Sequence, residues 1–365
     1  MIIIIGAGII GLFSALRLLE EGQKVKIFDT EEINADATSA AVGMLAPIIE
    51  ARPQELELFK LMMDSKKKWD KFLDLGKNKC LDFGLKKNSS LLLAMNFDDI
   101  ERIKFKKKFY KTLGYEANLL DKKDTLKVEP ALNSNIVGSL YCKDQNQVDT
   151  ILLKKFLINK IESMGGEIIK IKKLQKIIFS KGKLELHKKK IDAKKVVIAC
   201  GVWSRELLKN SFNIEVPLRP VKGVSMLFNL EKKLFSNNLW FRNIYLAQRK
   251  DNVLAVGATE DEKGYEDSVT LDEIYFLSKS LWEFFTETEK LKFIGIKAGL
   301  RPAVSDGYPI IGNLNSISSN IICAFGHFRH GVLLAPITAK LVCDIALDKP
   351  IQSKFDFFSP SRFNL

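Results

Sequence analysis

Three glycines near the start of the chain, and one aspartate beyond them, have the types and spacing of a nucleotide-binding site. Gly6, Gly8 and Gly11 follow the apolar run of residues 2–5, and Asp29 stands eighteen positions after Gly11. Glycines at this spacing let the backbone approach a pyrophosphate, and the free N–H groups at a helix N-terminus favour its negative charge. A carboxylate at Asp29 can accept hydrogen bonds from ribose hydroxyls. The pattern therefore predicts a site for the ADP part of a dinucleotide.

The elements around these glycines are those that such a site requires. A helix over residues 10–19 and a second apolar strand over 24–28 give a strand–helix–strand unit, with a turn at Gly22. The alternative is a secretory signal peptide, because the first nineteen residues are largely apolar. That segment has no basic start and no A-x-A cleavage site. The sequence therefore favours the nucleotide-binding unit.

Composition indicates a globular protein with room for two domains. The chain has 365 residues, of which 46% are hydrophobic and 10% aromatic. Its longest apolar runs, such as residues 196–203, are too short to span a membrane. An odd number of cysteines without a C-x-x-C pair indicates reduced thiols and a cytoplasmic protein. We expect all five to be small packing residues: Cys80, Cys142, Cys200, Cys323 and Cys343.

The chain is strongly basic, with a formal net charge of +13. Lysine runs supply much of this charge at residues 66–68, 106–108 and 188–190, without interleaved aromatic residues. This pattern favours solvated surface, and RNA contact stays an alternative. A positive field would also draw an anionic substrate or cofactor to the protein.

The order of predicted elements indicates two intertwined units. A small-residue stretch over 38–47 can pass close to a flat ligand, and residues 53–75, 98–113 and 150–164 are predicted helices. Strands are predicted at 89–95 and 167–171, with a hairpin around Ser180-Lys181-Gly182. The buried run at 195–198 fits a parallel strand returning to the first unit.

The second half of the chain predicts an antiparallel sheet inserted in the first unit. Residues 216–220 are predicted to be a linker, followed by alternating strands at 223–230, 244–248 and 253–258 and a helix at 271–285. A return from residue 298 leads to a final helix at 332–347. The predicted fold is α/β plus α+β: a discontinuous Rossmann-type domain (1–83, 140–215 and 298–365) with an inserted substrate domain (84–139 and 216–297). We expect the active site to lie between the two domains.

Two late segments carry a family resemblance. Gly299-Leu300-Arg301-Pro302 and Gly326-His327-Phe328-Arg329-His330-Gly331, together with the N-terminal glycines and Asp29, resemble the FAD-dependent D-amino-acid oxidase superfamily. The resemblance covers nearly the whole chain and is strongest to the glycine oxidase branch, which acts in thiamine thiazole synthesis. It implies an FAD cofactor that takes a hydride from the α-carbon of a small amino acid. Related sarcosine oxidases attach the flavin through a cysteine near Ala298-Gly299-Leu300, so this chain is expected to hold FAD non-covalently.

The resemblance also assigns substrate contacts. It makes Arg301 the partner of the substrate carboxylate, Tyr245 a hydroxyl donor to the same group, and the Arg329 carbonyl an acceptor for the substrate amine. Met44 is placed where the small-residue loop approaches the flavin ring. A planar guanidinium independently suits a carboxylate, because it can make two parallel charge-assisted bonds. The alternatives are a surface arginine at Arg301, a core aromatic at Tyr245 and simple packing at Met44.

The resemblance implies a longer set of cofactor contacts, several of them backbone groups. Those residues are Gly6, Gly8, Ile10, Gly11, Asp29, Thr38, Ser39, Ala41, Gly43, Met44, Gly201, Trp203, Gly326, His327, Arg329, His330, Gly331 and Val332.

The scarcity of histidine shapes the expected chemistry. Only His187, His327 and His330 are present, so we expect no metal site and no Ser-His-Asp triad. Hydride transfer from a neutral amine needs no side-chain base. The predicted reaction is oxidative deamination of glycine, sarcosine or a D-amino acid, giving an imino acid and hydrogen peroxide.

Several alternatives and partners stay open at this point. A D-amino-acid or sarcosine-type dehydrogenase would use a quinone in place of dioxygen. An RNA-modifying flavoprotein and a non-catalytic FAD-binding subunit are alternatives from other classes. We expect no nucleic-acid partner and no transmembrane segment, and the oligomeric state is left open.

Overall fold

The computed structural model describes residues 1–31, 36–75, 83–186 and 189–365. Cys80, His187 and Lys188 lie outside these ranges. In chain order the described strands are β1 (Ile2–Ile5), β2 (Val25–Thr30), β3 (Met44–Leu45), β4 (Ser90–Ala94), β5 (Asn118–Asp121), β6 (Gly138–Cys142), β7 (Asn146–Gln147), β8 (Glu167–Ile171), β9 (Ile178–Ser180), β10 (Lys183–Leu186), β11 (Lys189–Asp192), β12 (Lys195–Ile198), β13 (Leu218–Asn229), β14 (Asn238–Phe241), β15 (Ile244–Gln248), β16 (Val253–Gly257), β17 (Lys292–Val304), β18 (Ile310–Leu314) and β19 (Ser318–Phe325). The described α-helices are α1 (Ile9–Glu20), α2 (Ala37–Ala40), α3 (Pro47–Glu50), α4 (Leu56–Leu75), α5 (Phe97–Thr112), α6 (Lys122–Val128), α7 (Thr150–Ser163), α8 (Ser204–Phe212), α9 (Leu271–Phe284) and α10 (Gly331–Ala346).

The first sheet has six strands in the order β18-β19-β12-β1-β2-β8. All neighbours run parallel except β18 and β19. Ile3 of β1 stands opposite Lys26 of β2 and Val196 of β12. Because distant parts of the chain contribute to one parallel sheet, the predicted discontinuous Rossmann-type fold is confirmed.

Apolar layers cover both faces of this sheet, which explains its runs of consecutive apolar residues. On one face, α1 packs against α10 and α7, and Phe13, Leu333 and Val342 lie in the same buried cluster. On the other face, the antiparallel hairpin sheet β9-β10-β11 and α8 close a second cluster around Leu184 and Leu207.

The second sheet has eight strands in the order β17-β13-β16-β15-β14-β4-β6-β5. Its neighbours are antiparallel except β4 and β14, which run parallel. Leu277 and Leu281 of α9 pack on one face of this sheet in a separate core cluster. The inserted antiparallel sheet is therefore present, with one parallel pair within it.

The longest strands, β13 and β17, belong to the second sheet and reach the core beside the first. They pair from Leu218 opposite Val304 to Asn229 opposite Lys292. Leu218 and Val304 belong to the core beside the first sheet, whereas Val224 further along β13 belongs to the core of the second. Arg301 thus lies on a strand that runs between the two cores.

The predicted linker at residues 216–220 is wrong, because β13 already begins at Leu218. Pro220 stands opposite Pro302, although prolines normally disfavour a strand interior. Here β13 pairs with β16 only from Ser225 onward, and an isolated bridge between Lys222 and Asp261 extends that edge, so Pro220 lies beyond the described pairing on this side. The proposed domain boundaries, including those at 216 and 298, stay a prediction.

The four described cysteines are free, and Cys142, Cys323 and Cys343 are buried. None of the helices in the described part of the chain has the length and apolar composition needed to cross a bilayer.

Candidate active site

The glycine turn brings the start of α1 close to the first sheet. Gly6 has a φ of 107°, and a Cβ there would overlap the Ala199 carbonyl of the neighbouring strand segment. A Cβ at Gly11 would in turn overlap the Gly6 carbonyl. Gly8 is the N-cap of α1 and provides no side-chain cap. The first-turn N–H groups are therefore available to an anion, apart from that of Ile9, which donates to Thr38 Oγ1 at 3.0 Å.

Asp29 lies near the end of β2 with its side chain almost buried. Lys170, on the neighbouring strand β8, donates from Nζ to Asp29 Oδ2 at 2.8 Å. No motif in the sequence marks Lys170, because only the parallel pairing of β2 with β8 places it opposite the aspartate. No donor in the described part of the chain contacts the second carboxylate oxygen, Oδ1, so this oxygen can accept from a ribose hydroxyl.

A cavity of about 690 Å³ extends from the glycine turn to the inserted sheet. Its volume is typical of a small-molecule or cofactor site. The predicted cofactor residues that line it are Gly6, Gly8, Ile10, Asp29, Thr38, Ala41, Gly201, Trp203, His327, Arg329, Gly331 and Val332. The predicted substrate residues Tyr245 and Arg301 line it as well.

The other predicted cofactor residues do not line this cavity: Gly11, Ser39, Gly43, Met44, Gly326 and His330. Ser39 donates from Oγ to Asp36 Oδ2 at 2.7 Å and so stabilises the short helix α2. Gly43 precedes β3, and Gly326 follows β19. Met44 packs with Val42 in a small cluster that also contacts Tyr245, which does line the cavity.

Arg301 is held in place by backbone groups. Its Nη1 donates to the Thr259 carbonyl at 3.0 Å and to the Lys222 carbonyl at 3.3 Å. The guanidinium lies against Gly223, where any Cβ would overlap it. Within the described ranges no carboxylate lies in ion-pair contact with Arg301. Its charge is therefore fixed in position and free to take an anion.

Tyr245 stands beside this guanidinium. Its ring packs on Trp240 with centroids 4.9 Å apart. Burial raises the pKa of the Tyr245 phenol, and the nearby Arg301 opposes that rise. The hydroxyl is therefore protonated at neutral pH and can donate a hydrogen bond to a bound carboxylate.

Arg329 and His330 converge on Glu50, a residue that sequence analysis did not single out. Arg329 Nε donates to Glu50 Oε2 at 2.8 Å, and His330 Nδ1 lies 3.5 Å from the same oxygen. The side chain of Arg329 is thus bound to the α3 helix. No sequence signal links residues this far apart.

Both histidines of this loop are buried and neutral. His327 Nε2 shares a hydrogen bond of 2.9 Å with Thr338 Oγ1 of α10. Burial lowers the pKa of His327 to about 3, and it also lowers the pKa of His330 well below its ordinary value. No three potential metal-ligating side chains come together in the described ranges.

A second cavity of about 310 Å³ opens beside the first. The two share Tyr245, Ala258, Arg301 and Arg329 as lining residues. A ligand on Arg301 would therefore face the larger cavity on one side and the smaller cavity on the other.

A family comparison decides what the larger cavity holds. The model of the family described as FAD dependent oxidoreductase (DAO) matches residues 1–345. The chain belongs to this family. It is an FAD-dependent oxidoreductase, so FAD is its cofactor.

This FAD-dependent oxidoreductase is similar to known glycine oxidases. It is 27% identical over 356 residues to glycine oxidase of Bacillus licheniformis, covering 97% of this chain and 94% of that protein. It is also 27% identical over 370 residues to the bifunctional protein ThiO/ThiG of Trichormus variabilis. The aligned region covers 99% of this chain but only 55% of that protein. The crystal structure of glycine oxidase from Geobacillus kaustophilus superposes with a TM-score of 0.89 at 25% identity, covering 98% of this chain and 97% of that one. The enzyme is thus an FAD-dependent, glycine oxidase-like oxidoreductase.

The residues of the larger cavity fit FAD. The start of α1, where Thr38 occupies only the Ile9 N–H, suits the pyrophosphate, and Gly6 and Gly8 place no side chain in this part of the cavity. The carboxylate of Asp29 suits the ribose. At the other end of the cavity, α10 begins at Gly331. The dipole at this helix N-terminus favours negative charge on a reduced flavin ring.

Proposed function

We propose that this enzyme oxidises glycine or another small amino acid, such as sarcosine or a D-amino acid, to the imino acid, and that dioxygen is reduced to hydrogen peroxide. The observation that carries the proposal is the Arg301 guanidinium. It is fixed by the carbonyls of Lys222 and Thr259 and has no described carboxylate partner. A cation held in this way, between the cofactor cavity and a small second cavity, suits the carboxylate of a small amino acid.

The neighbouring residues would complete the binding of this substrate. Arg301 would hold the carboxylate by charge-assisted hydrogen bonds, and the neutral Tyr245 hydroxyl would donate to the same group. The backbone carbonyl of Arg329 would accept from the substrate amine. With its carboxylate and its amine both held, the substrate would present its α-carbon in a fixed orientation. Orienting the substrate is the main contribution that a protein makes to cofactor chemistry.

Two candidate bases in the described part of the site are already engaged. His327 is bound to Thr338, and Glu50 already accepts from Arg329. The substrate amine would therefore have to be neutral when it reacts. When bound, FAD supplies the chemistry of the reaction, because its flavin ring accepts a hydride from the substrate carbon and passes the electrons to an acceptor.

We also propose that FAD is held non-covalently. Cys200 is the cysteine that lines the cavity in the described ranges. Its thiol donates to the Ile5 carbonyl at 3.2 Å, and burial raises its pKa. A thiol that stays protonated is a poor nucleophile toward the flavin.

The similarity to a ThiO/ThiG protein supports a role in thiamine thiazole synthesis, in which the imino product would be consumed. The free cysteines support a cytoplasmic location for this role.

Anaerobic flavin bleaching tests the proposed function. The purified yellow protein would be mixed without oxygen with glycine, sarcosine, D-alanine, D-proline or L-alanine, and air would then be admitted. Bleaching by glycine or sarcosine, with rapid return of colour and formation of peroxide, is the expected result.

Two other results would contradict parts of the proposal. Bleaching without reoxidation by air would indicate a dehydrogenase that uses a quinone. Failure of every free amine to bleach the flavin would overturn the proposal and favour an RNA-linked or non-catalytic role.

A further inference from the structure

We propose that the smaller cavity binds a second anionic group of the substrate, so that the preferred amino acid carries a carboxylate in addition to the one on Arg301. The inference rests on the proposed function, because it names the substrate class of the same site. N-carboxymethylglycine (iminodiacetate) and D-aspartate represent this class.

The described wall of the smaller cavity carries more basic than acidic side chains. Six basic side chains face three acidic ones around about 310 Å³. The basic residues are Arg52, Arg102, Lys106, Arg242, Arg301 and Arg329, and the acidic residues are Glu50, Asp99 and Glu260. Arg52, Arg102 and Arg242 are exposed to solvent, and Arg52 lies 3.6 Å from Glu55. The less exposed basic groups of this wall are therefore Lys106, Arg301 and Arg329.

Two of the three carboxylates already have partners. Glu50 accepts from Arg329 at 2.8 Å. Asp99 is buried, accepts from the Met95 N–H at 3.2 Å, and lies 3.9 Å from Arg102. The third, Glu260, is exposed. The acidic residues therefore leave part of the positive charge uncompensated.

Lys106 is the basic residue best placed for a second anion. It lies on α5, and its Nζ donates to the Ile49 carbonyl at a long 3.4 Å. In the described part of the chain no carboxylate lies within ion-pair distance of this ammonium. Burial lowers the pKa of Lys106, Glu50 opposes that shift, and Arg52 and Arg329 add to it. An anion bound beside Lys106 would relieve both its poor solvation and the repulsion from the two arginines.

Lys106 and Arg301 are alike in one respect. Lys106 donates to one backbone carbonyl and Arg301 to two, and neither has a described carboxylate partner. Arg301 lines both cavities, whereas Lys106 lines only the smaller one. A substrate with its first carboxylate on Arg301 could therefore extend into the smaller cavity and place a second carboxylate at Lys106.

Kinetics with matched substrates test this inference on the FAD-loaded protein. D-aspartate would be compared with D-asparagine, and iminodiacetate with its monoamide, with glycine as the reference substrate. We expect kcat/KM to be at least about 10-fold higher for each acid than for its amide. Lys106→Met should remove most of that preference and change kcat/KM for glycine by less than about 3-fold.

Lys108→Met is the matched control, because it removes the same charge from an exposed position on the same helix. It should leave the preference unchanged. If Lys108→Met lowers the preference as much as Lys106→Met does, the effect comes from net charge and the inference fails.

Direct binding separates this inference from the proposed function. Calorimetric titration with glutarate and with butyrate requires no turnover. Glutarate should bind at least about 10-fold more tightly than butyrate to the wild-type protein, and this difference should be lost in Lys106→Met.

The wild-type protein alone can overturn the inference, whatever the stability of the variant. Equal turnover of acids and amides, together with equal binding of glutarate and butyrate, would do so while leaving the proposed function intact. If no amine bleaches the flavin, the proposed function fails, and the glutarate titration still decides whether a second anion binds at Lys106.

Discussion

The guanidinium of Arg301 lies against the backbone of Gly223, on the neighbouring strand, with no space for a Cβ between them. The strand pair β13–β17 sets this contact, because Arg301 stands opposite Val221, two residues before Gly223. A glycine at this position is therefore part of the anion site, although it contributes no functional group.

Gly223→Ala should displace the guanidinium and lower kcat/KM for the best small amino acid by about 10- to 100-fold, because small misplacements of a binding group reduce turnover strongly. FAD content should not change. Gly295→Ala is the control, since Gly295 lies on the same strand as Arg301 and a Cβ there would contact nothing within 4 Å. Unchanged kinetics in Gly223→Ala would show that the guanidinium does not need this space.

Arg301→Ala should retain FAD and lower kcat/KM by about 100-fold or more, because the substrate carboxylate loses its charge-assisted hydrogen bonds. Arg301→Lys should be intermediate, since it keeps the charge but loses the planar fork. Stopped-flow bleaching of the flavin measures both. Arg219→Ala, which alters an exposed ion pair with Glu262, serves as the control. Wild-type kinetics in Arg301→Ala would remove Arg301 from the site.

Asp29→Ala should weaken FAD binding by about 10-fold, because the ribose loses a charged hydrogen-bond acceptor. Fluorescence titration of the apoprotein with FAD measures this change. Glu31→Ala removes the same charge from an exposed position two residues away and should have little effect. If FAD affinity is unchanged in Asp29→Ala, the carboxylate serves only its ion pair with Lys170.

Arg249 stabilises the loop that borders the cofactor cavity. It is buried, donates to the Ala41 carbonyl at 3.1 Å and to the Val42 carbonyl at 3.3 Å, and lies 3.5 Å from Asp149. Arg249→Met should lower the free energy of unfolding by about 1–3 kcal/mol, because the Ala41 and Val42 carbonyls lose a donor and Asp149 loses a nearby positive charge while keeping its two backbone donors at the start of α7.

Urea unfolding measures the effect of Arg249→Met, with Arg17→Met as the control. Arg17 makes only surface ion pairs, so its loss should cost no more than about 1 kcal/mol. Adding Asp149→Asn to Arg249→Met should recover part of the loss. A double variant as unstable as the sum of the two single variants would contradict this coupling.

His327 should make the fold sensitive to acid. Burial lowers its pKa from 6.5 to about 3, so between these values the unfolded chain binds a proton that the native protein does not. The stability contribution of the neutral ring is complete above pH 6.5 and is lost as the pH falls toward 3.

His327→Gln should reduce this sensitivity. Between pH 6 and pH 4 the unfolding free energy of the variant should fall less steeply than that of the wild type, by up to about 1.4 kcal/mol per pH unit. Urea unfolding at several pH values measures both slopes. If the unfolding free energies of the variant and the wild type change equally with pH, His327 is either protonated in the native state or neutral in both states.

Local features of the sequence predicted much of the fold. The strand–glycine–helix unit at the N-terminus, the strands β8, β12 and β15, and the start of α7 all lie where the apolar patterns and turn residues place them. These elements could be predicted because their signals come from residues that are close together in the chain. The strand that begins within residues 216–220 could not be predicted in this way. A proline fits a strand only where its missing N–H is not needed for pairing, and pairing with distant strands determines where that is.

The sequence by itself determined the family, the FAD-binding unit and the choice of Arg301 as the candidate for the carboxylate. Only the tertiary structure decided what surrounds that arginine. Lys170 meets Asp29 across 141 positions of sequence, and Arg329 meets Glu50 across 279. Lys106, which the sequence placed in a surface lysine run, lines a cavity beside Arg301. Periodicity and motifs act over a few residues, whereas strand pairing and helix packing bring these charges together, so the shape and charge of the substrate cavity arise only when the chain folds.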